Sequence, residues 1–92
     1  MPRIRRRVYF SGRVQGVGFR YTCHSLARSF PVAGYVRNLH DGRVEVMAEG
    51  ESGDLDDFLA AIGQEMSPYI TDVATETLSP GLNRFTGFSV RF

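Results

Sequence analysis

"VYFSGRVQGVGFRYTCHSLARSFP", residues Val8 to Pro31, changes its hydrophobic period partway along. Before the glycines, Val8, Phe10 and Val14 share one parity and Tyr9, Ser11 and Arg13 the other, the alternation of a strand with one buried face. After them, Phe19, Cys23, Leu26, Ala27 and Phe30 form one stripe of an amphipathic helix, which Pro31 ends. Working outward, "VAGYVRNLHDGRVEVMAEG" (Val32 to Gly50) reads as two strands joined by a turn at "HDG", with Val44, Val46 and Ala48 alternating against Arg43, Glu45 and Met47. Ser52 reads as the N-cap of a second helix whose stripe is Leu55, Phe58, Leu59, Ile62 and Met66. Asp54 falls in its first turn, where the helix dipole favours an acid, and Ser67-Pro68 stops it. "YITDVATETL" and "FTGFSVRF" read as strand material separated by the turn-rich "SPGLN". The order is β-α-β-β-α-β with an extra or bent strand near the end. Two helices with one apolar stripe each, and strands with one apolar parity, predict an α+β fold: an antiparallel sheet with both helices on one face. This is the ferredoxin-like split β-α-β sandwich, a single domain over residues 1–92 that by itself settles no function.

Composition narrows the chemistry. The 92 residues leave room for one core and one site, and 42% hydrophobic residues, with seven Phe and four Tyr, can fill that core without disulfide or metal staples. Cys23 is the lone cysteine, which favours a reducing compartment. No apolar run is long enough for a membrane span or a signal peptide, so the expected location is cytoplasmic. The net charge of +1 conceals an asymmetry: residues 1–40 hold eight Arg and no acid, while all ten Asp and Glu lie between Asp41 and Glu76. The first half of the chain looks prepared for an anion, although Arg3, Arg5, Arg6 and Arg7 by themselves read as a solvated terminus. There is no lysine, which excludes Schiff-base lysines and a Walker phosphate loop.

The loop between the first strand and the first helix is where an anion would sit. Its last amides are the unpaired N–H groups of a helix N-terminus, and Gly16 and Gly18 permit the backbone to curl into a nest of donors. Arg20 adds a permanent charge. An ordinary tight turn with a solvated Arg20 explains the same residues. A dinucleotide fingerprint is excluded, because it requires Gly where Tyr21 stands.

"GRVQGVGFR" at Gly12 to Arg20 and "GYVRNLHDGRVEVMAEG" at Gly34 to Gly50 together resemble the two signature stretches of the acylphosphatase family. They cover 26 of the 92 residues, and the order of elements matches that family along the chain, more loosely over residues 66–85. The resemblance implies hydrolysis of the carboxyl–phosphate bond of acyl phosphates, with inorganic phosphate as a product, no metal, no cofactor and no covalent intermediate. It also implies that the amides of Gln15, Gly16, Val17, Gly18, Phe19 and Arg20, with the Arg20 guanidinium, hold the phosphate. Asn38 would position the attacking water, although on its own an Asn at a strand end reads as a turn-former. The expected partner is a small acyl phosphate, with no nucleic acid and no membrane, and the expected state is a monomer.

Other reactive side chains read as structural. His24 and His40 lack metal-ligand spacing, Cys23 falls on the apolar helix stripe, and Phe19 and Tyr35 suit core packing. Two alternatives remain. An RNA-binding module shares the topology but needs stacking aromatics on its third strand, and "GRVEVMAEG" has none. A non-catalytic acylphosphatase-like accessory domain, as begins some carbamoyl-transferring maturation proteins, would be followed by further domains. The end at Phe92 favours a free-standing enzyme.

Overall fold

In the computed structural model, which describes residues 3–92, the expected elements appear in the expected order: β1 (Arg3–Gly12), α1 (Phe19–Ala27), β2 (Ala33–Asn38), β3 (Val44–Glu51), α2 (Ser52–Glu65), β4 (Ile70–Leu78) and β5 (Phe88–Arg91). They form one five-stranded sheet in the order β4-β1-β3-β2-β5. The first four strands pair antiparallel, as the two split β-α-β units require. The extra strand near the end is real, but it joins parallel to β2, so the sheet is mixed. Chain direction explains this difference. β4 runs from Ile70, beside Gly12, down to Leu78, beside Arg5. Residues 79–87 then cross to the other edge of the sheet, and β5 can only run back up, alongside β2.

The helices bury their stripes on one sheet face. Leu55, Phe58 and Ile62 of α2, with Phe19 and Cys23 of α1, are fully buried against Val8, Phe10, Val44 and Val46. The Phe58 ring meets Phe30 at 5.8 Å and Phe88 at 5.4 Å, which ties α2 to the turn after α1 and to β5. Burying each such ring contributes about 2–3 kcal/mol. Two helix ends differ from the sequence reading. α1 stops at Ala27, four residues before Pro31, because the amides of Arg28, Ser29 and Phe30 turn to carbonyls three residues back and tighten the last turn. Ser52 is the first helical residue of α2, and Glu51 is its cap.

The outer sheet face departs furthest from the sequence reading. Strict alternation would expose Glu45 and Glu49 of β3, yet they are only 2% and 0% accessible. Arg3, Arg5 and Arg7 are not a solvated terminus: they lie on β1 over these two carboxylates. Arg5 Nε donates to Glu49 Oε1 at 2.8 Å, Arg3 reaches Glu49 Oε2 at 3.5 Å and Arg7 Nε reaches Glu45 Oε2 at 3.3 Å. Arg37 of β2 closes on Glu45 from the other side, and Arg6, pointing to the helix face, pairs with Asp56 of α2. The 79–87 crossing lies over the Arg5 end of this network. Arg5 donates to the Asn83 carbonyl and lies 4.5 Å from the Phe85 ring, which packs on Tyr35 at 5.8 Å.

Burial by itself would raise the Glu49 carboxyl, but the hydrogen bond and charge of Arg5, joined by Arg3, outweigh it and hold the group below its usual range. A lowered carboxylate contributes stability above its unfolded value of about 4.3 and loses that contribution as pH falls through the lower folded value. Glu49→Gln should therefore cost about 2 kcal/mol at neutral pH, the scale of a lost charged hydrogen bond, with the gap from the parent narrowing below about pH 4. Denaturant unfolding of both proteins across pH checks this. An equally wide gap at pH 3 and pH 7 would show that the charge pairing is not what Glu49 supplies.

Candidate active site

β1 and β2 both run antiparallel to β3, which lies between them, so their C-terminal ends reach the same edge of the sheet. β5 ends there too, because it is parallel to β2. The crossing helix α1 starts at that edge. The strand ends bring Asn38, at the close of β2, and residues 90–92 around the loop that leads from Gly12 into α1. A cleft of about 330 Å³ forms between them, lined by Val14, Gly16, Gly18, Phe19, Arg20, Tyr21, Asn38, Val90 and Phe92.

The loop is built by its glycines. Gly16 and Gly18 have φ of 78° and 79°, the left-handed region, and a Cβ at either would meet nothing within 4 Å. Conformation, not space, thus requires glycine here. Gly18 leads directly into α1 with no side-chain cap, and the first turn carries no acid. Its orphan amides and the positive end of the helix dipole therefore lie at the cleft with no acidic side chain in the first turn to compete for them.

Arg20 extends from the first turn of α1. Its Nη1 donates to the Arg91 carbonyl at 3.3 Å, and its guanidinium carbon lies 4.8 Å from the Phe92 ring centre. The end of the chain thus holds the fork at the cleft. Asn38 Oδ1 is buried and has no hydrogen-bond partner among the described residues. A buried carboxamide oxygen of this kind costs stability unless something donates to it, and a turn of the side chain would bring it to the cleft that Asn38 lines.

Of the residues expected at the site, Gly16, Gly18, Phe19, Arg20 and Asn38 line one cleft. Phe19 lines the cleft while its ring packs on Phe10 at 5.1 Å in the core. Val17 packs partly buried against the core. The Gln15 side chain points away, and its Nε2 donates to the carbonyls of Leu39 (2.8 Å) and Arg43 (2.9 Å) in the β2–β3 turn. That turn is braced by Asp41, which accepts from the Arg43 amide at 3.1 Å and from its Nε at 2.8 Å. The Arg43 amide, backed by the guanidinium, holds the Asp41 carboxyl below its usual range, so the brace stays charged at neutral pH.

Sequence reasoning did not find Val14, Tyr21, Val90 and Phe92 as cleft walls. Tyr21 stands one residue after Arg20 and was accessible to it, whereas Val90 and Phe92 reach the cleft only through the parallel pairing of β5. Cys23 is fully buried, and burial pushes its thiol up to about 12, which removes it as a nucleophile. Among the described residues, no group of three or more His, Cys, Asp or Glu could hold a metal ion, and no helix is long and apolar enough to cross a membrane.

Comparison with known proteins agrees with this geometry. Residues 6–90 match the acylphosphatase family. An acylphosphatase of Archaeoglobus fulgidus is 41% identical over 85 residues, spanning 92% of this chain and 94% of the relative. One from Syntrophotalea carbinolica is 42% identical over 94 residues and is matched across the whole of both chains. The crystal structure of the acylphosphatase from Bacillus subtilis aligns with a TM-score of 0.85 at 35% identity, covering 97% of this chain and 99% of that one. The chain belongs to the acylphosphatase family.

Proposed function

We propose that this chain hydrolyses the carboxyl–phosphate bond of acyl phosphates, with Arg20 and the loop amides holding the phosphate and Asn38 aligning water on phosphorus. The convergence of an uncapped helix N-terminus, a tethered guanidinium and an Asn38 carboxamide with an unpartnered oxygen around one cleft carries this reading.

The step needs little beyond that inventory. With its side chain turned so that Oδ1 meets the cleft, Asn38 accepts a hydrogen of the water, and the water's lone pair points toward phosphorus. The new P–O bond forms as the bond to the acyl oxygen breaks, and that electron pair leaves on the carboxylate. A leaving group with a pKa near ~4 needs no general acid. The proton of the attacking water passes to a phosphate oxygen, so no protein base is consumed. Loop amides and Arg20 spread the charge that develops on the phosphoryl oxygens, and they do so with preset geometry. The apolar walls Val14, Tyr21, Val90 and Phe92 suit an apolar acyl group extending from the phosphate.

Base stacking finds no such support, because the outer sheet face, where RNA-recognition folds stack bases, is occupied by the arginine–glutamate network and Phe85. A lone buried thiol fits a reducing, cytoplasmic setting, and nothing in the proposed step calls for a second copy.

Arg20 and Asn38 should separate by role. Arg20→Ala should lose about 3 kcal/mol, near a hundredfold in kcat/KM, together with affinity for inorganic phosphate. Arg20→Lys should be nearly as poor, because an ammonium cannot fork two phosphate oxygens while also holding the Arg91 carbonyl. Asn38→Ala should lower kcat yet still melt at a higher temperature in saturating phosphate, as ligand linkage requires. Phosphate binding by calorimetry, melting curves and steady-state rates check these outcomes. A fully active, folded Asn38→Ala would return that residue to turn-forming, and normal phosphate affinity in Arg20→Ala would move the phosphate site elsewhere.

Metal independence is a second outcome of the proposed chemistry, since no step demands a Lewis acid. Turnover should survive exhaustive chelation. Loss on chelation, reversed by one added metal, would require a different mechanism.

A further inference from the structure

The loop and the Asn38 hairpin belong to different β-strands, and what joins them at the cleft is a side chain. Gln15 has two amide protons on Nε2, and both are spent, one on the Leu39 carbonyl at 2.8 Å and one on the Arg43 carbonyl at 2.9 Å. Leu39 directly follows Asn38, and Arg43 closes the same turn by accepting the Leu39 amide at 2.8 Å. Gln15 directly precedes Gly16, where the loop begins its left-handed course. One carboxamide therefore pins the flexible start of the loop to both carbonyls at the mouth of the hairpin, immediately beside Asn38.

We propose that Gln15 is a positioning residue: its side chain sets the distance and angle between the phosphate loop and the Asn38 carboxamide. This rests on the reading of the loop as the phosphate site and of Asn38 as the group that aligns water. The two ends of the loop have separate anchors. Its helical end is fixed by α1 and by the Arg20 contact to Arg91, neither of which involves Gln15. The amides at the helical end and the Arg20 guanidinium therefore stay in place when Gln15 is altered, and they carry most of the phosphate affinity. The attack, by contrast, requires water held by one element and phosphorus held by the other to line up, and a displacement of about 1 Å between them costs on the order of a hundredfold in rate. The Gln15 side chain touches no reacting atom in this arrangement and acts through Asn38.

The test is a double-mutant cycle with Asn38, using acetyl phosphate for turnover and inorganic phosphate for binding. Gln15→Met keeps the length and unbranched shape of the side chain but removes both donors. It should lower kcat at least tenfold while KM and the phosphate-induced rise in melting temperature stay within about twofold of the parent. In an Asn38→Ala background, the same substitution should change kcat less than twofold, because the group it positions is gone. Should Gln15→Met fail to show a cooperative melting transition, Gln15→Ala is read in the same way. An unchanged kcat, tenfold losses that multiply in the two backgrounds, or a loss of phosphate stabilisation matching the loss of rate would each overturn the proposal. The underlying functional reading fails separately: it falls if Asn38→Ala alone turns over at the parental rate, whereas the Gln15 inference falls when Asn38→Ala is impaired but the effects multiply.

Discussion

Val44 pairs with Phe10 on one side and with Asn38 on the other. Neighbouring strands lie about 4.8 Å apart, so the ends of β1 and β2 are fixed roughly 10 Å from each other across a single residue. A backbone ladder sets that spacing, and side chains then fill it. Because a helix must connect two parallel strands that skip one position, α1 has to begin at this edge, over the gap. The loop that curls across it ends in the positive end of the helix. The register of three strands thus decides that a phosphate cradle and a carboxamide face each other, and the residues of the family signature exploit a place the topology has already made.

The other sheet face serves a different purpose with the remaining arginines. Two buried carboxylates, Glu45 and Glu49, are charges that the interior would reject if they stood alone. Arg3, Arg5, Arg7 and Arg37 pair with them, and the 79–87 crossing lies over the Arg5 end of the network. That same crossing delivers β5 to the edge beside β2, where Arg91 and Phe92 hold Arg20. The arginine-rich first strand therefore supports the site at a distance: it anchors the segment whose far end fixes Arg20 at the cleft.

Most of the fold was legible because its elements carry clean periods. The change of spacing at Gly16 to Phe19 placed β1 and α1, and the Leu55 to Met66 stripe placed α2. What escaped the sequence was whatever depended on neighbours far along the chain. Alternation places Glu45 and Glu49 opposite the core face but does not say that arginines and a crossing segment lie over them. The parallel pairing of β5 left no local trace. At the site, Gly16, Gly18, Phe19, Arg20 and Asn38 were found from residue type and family resemblance, and they line one cleft. Val90 and Phe92 were missed for the same reason as β5. Gln15 was assigned to the loop for its amide, while its side chain spans to Leu39 and Arg43, a contact that spacing cannot reveal.

Everything assigned to the cleft assumes that water attacks phosphorus and not the acyl carbon. Hydrolysis of acetyl phosphate in water labelled with heavy oxygen distinguishes the two bonds, and mass spectrometry of both products locates the label. Attack aligned by Asn38 on a phosphate held by the loop predicts label in inorganic phosphate and none in acetate beyond the uncatalysed background. Label appearing in acetate would mean that the acyl carbon is the electrophile, and the roles given to Asn38, Arg20 and the loop would not stand.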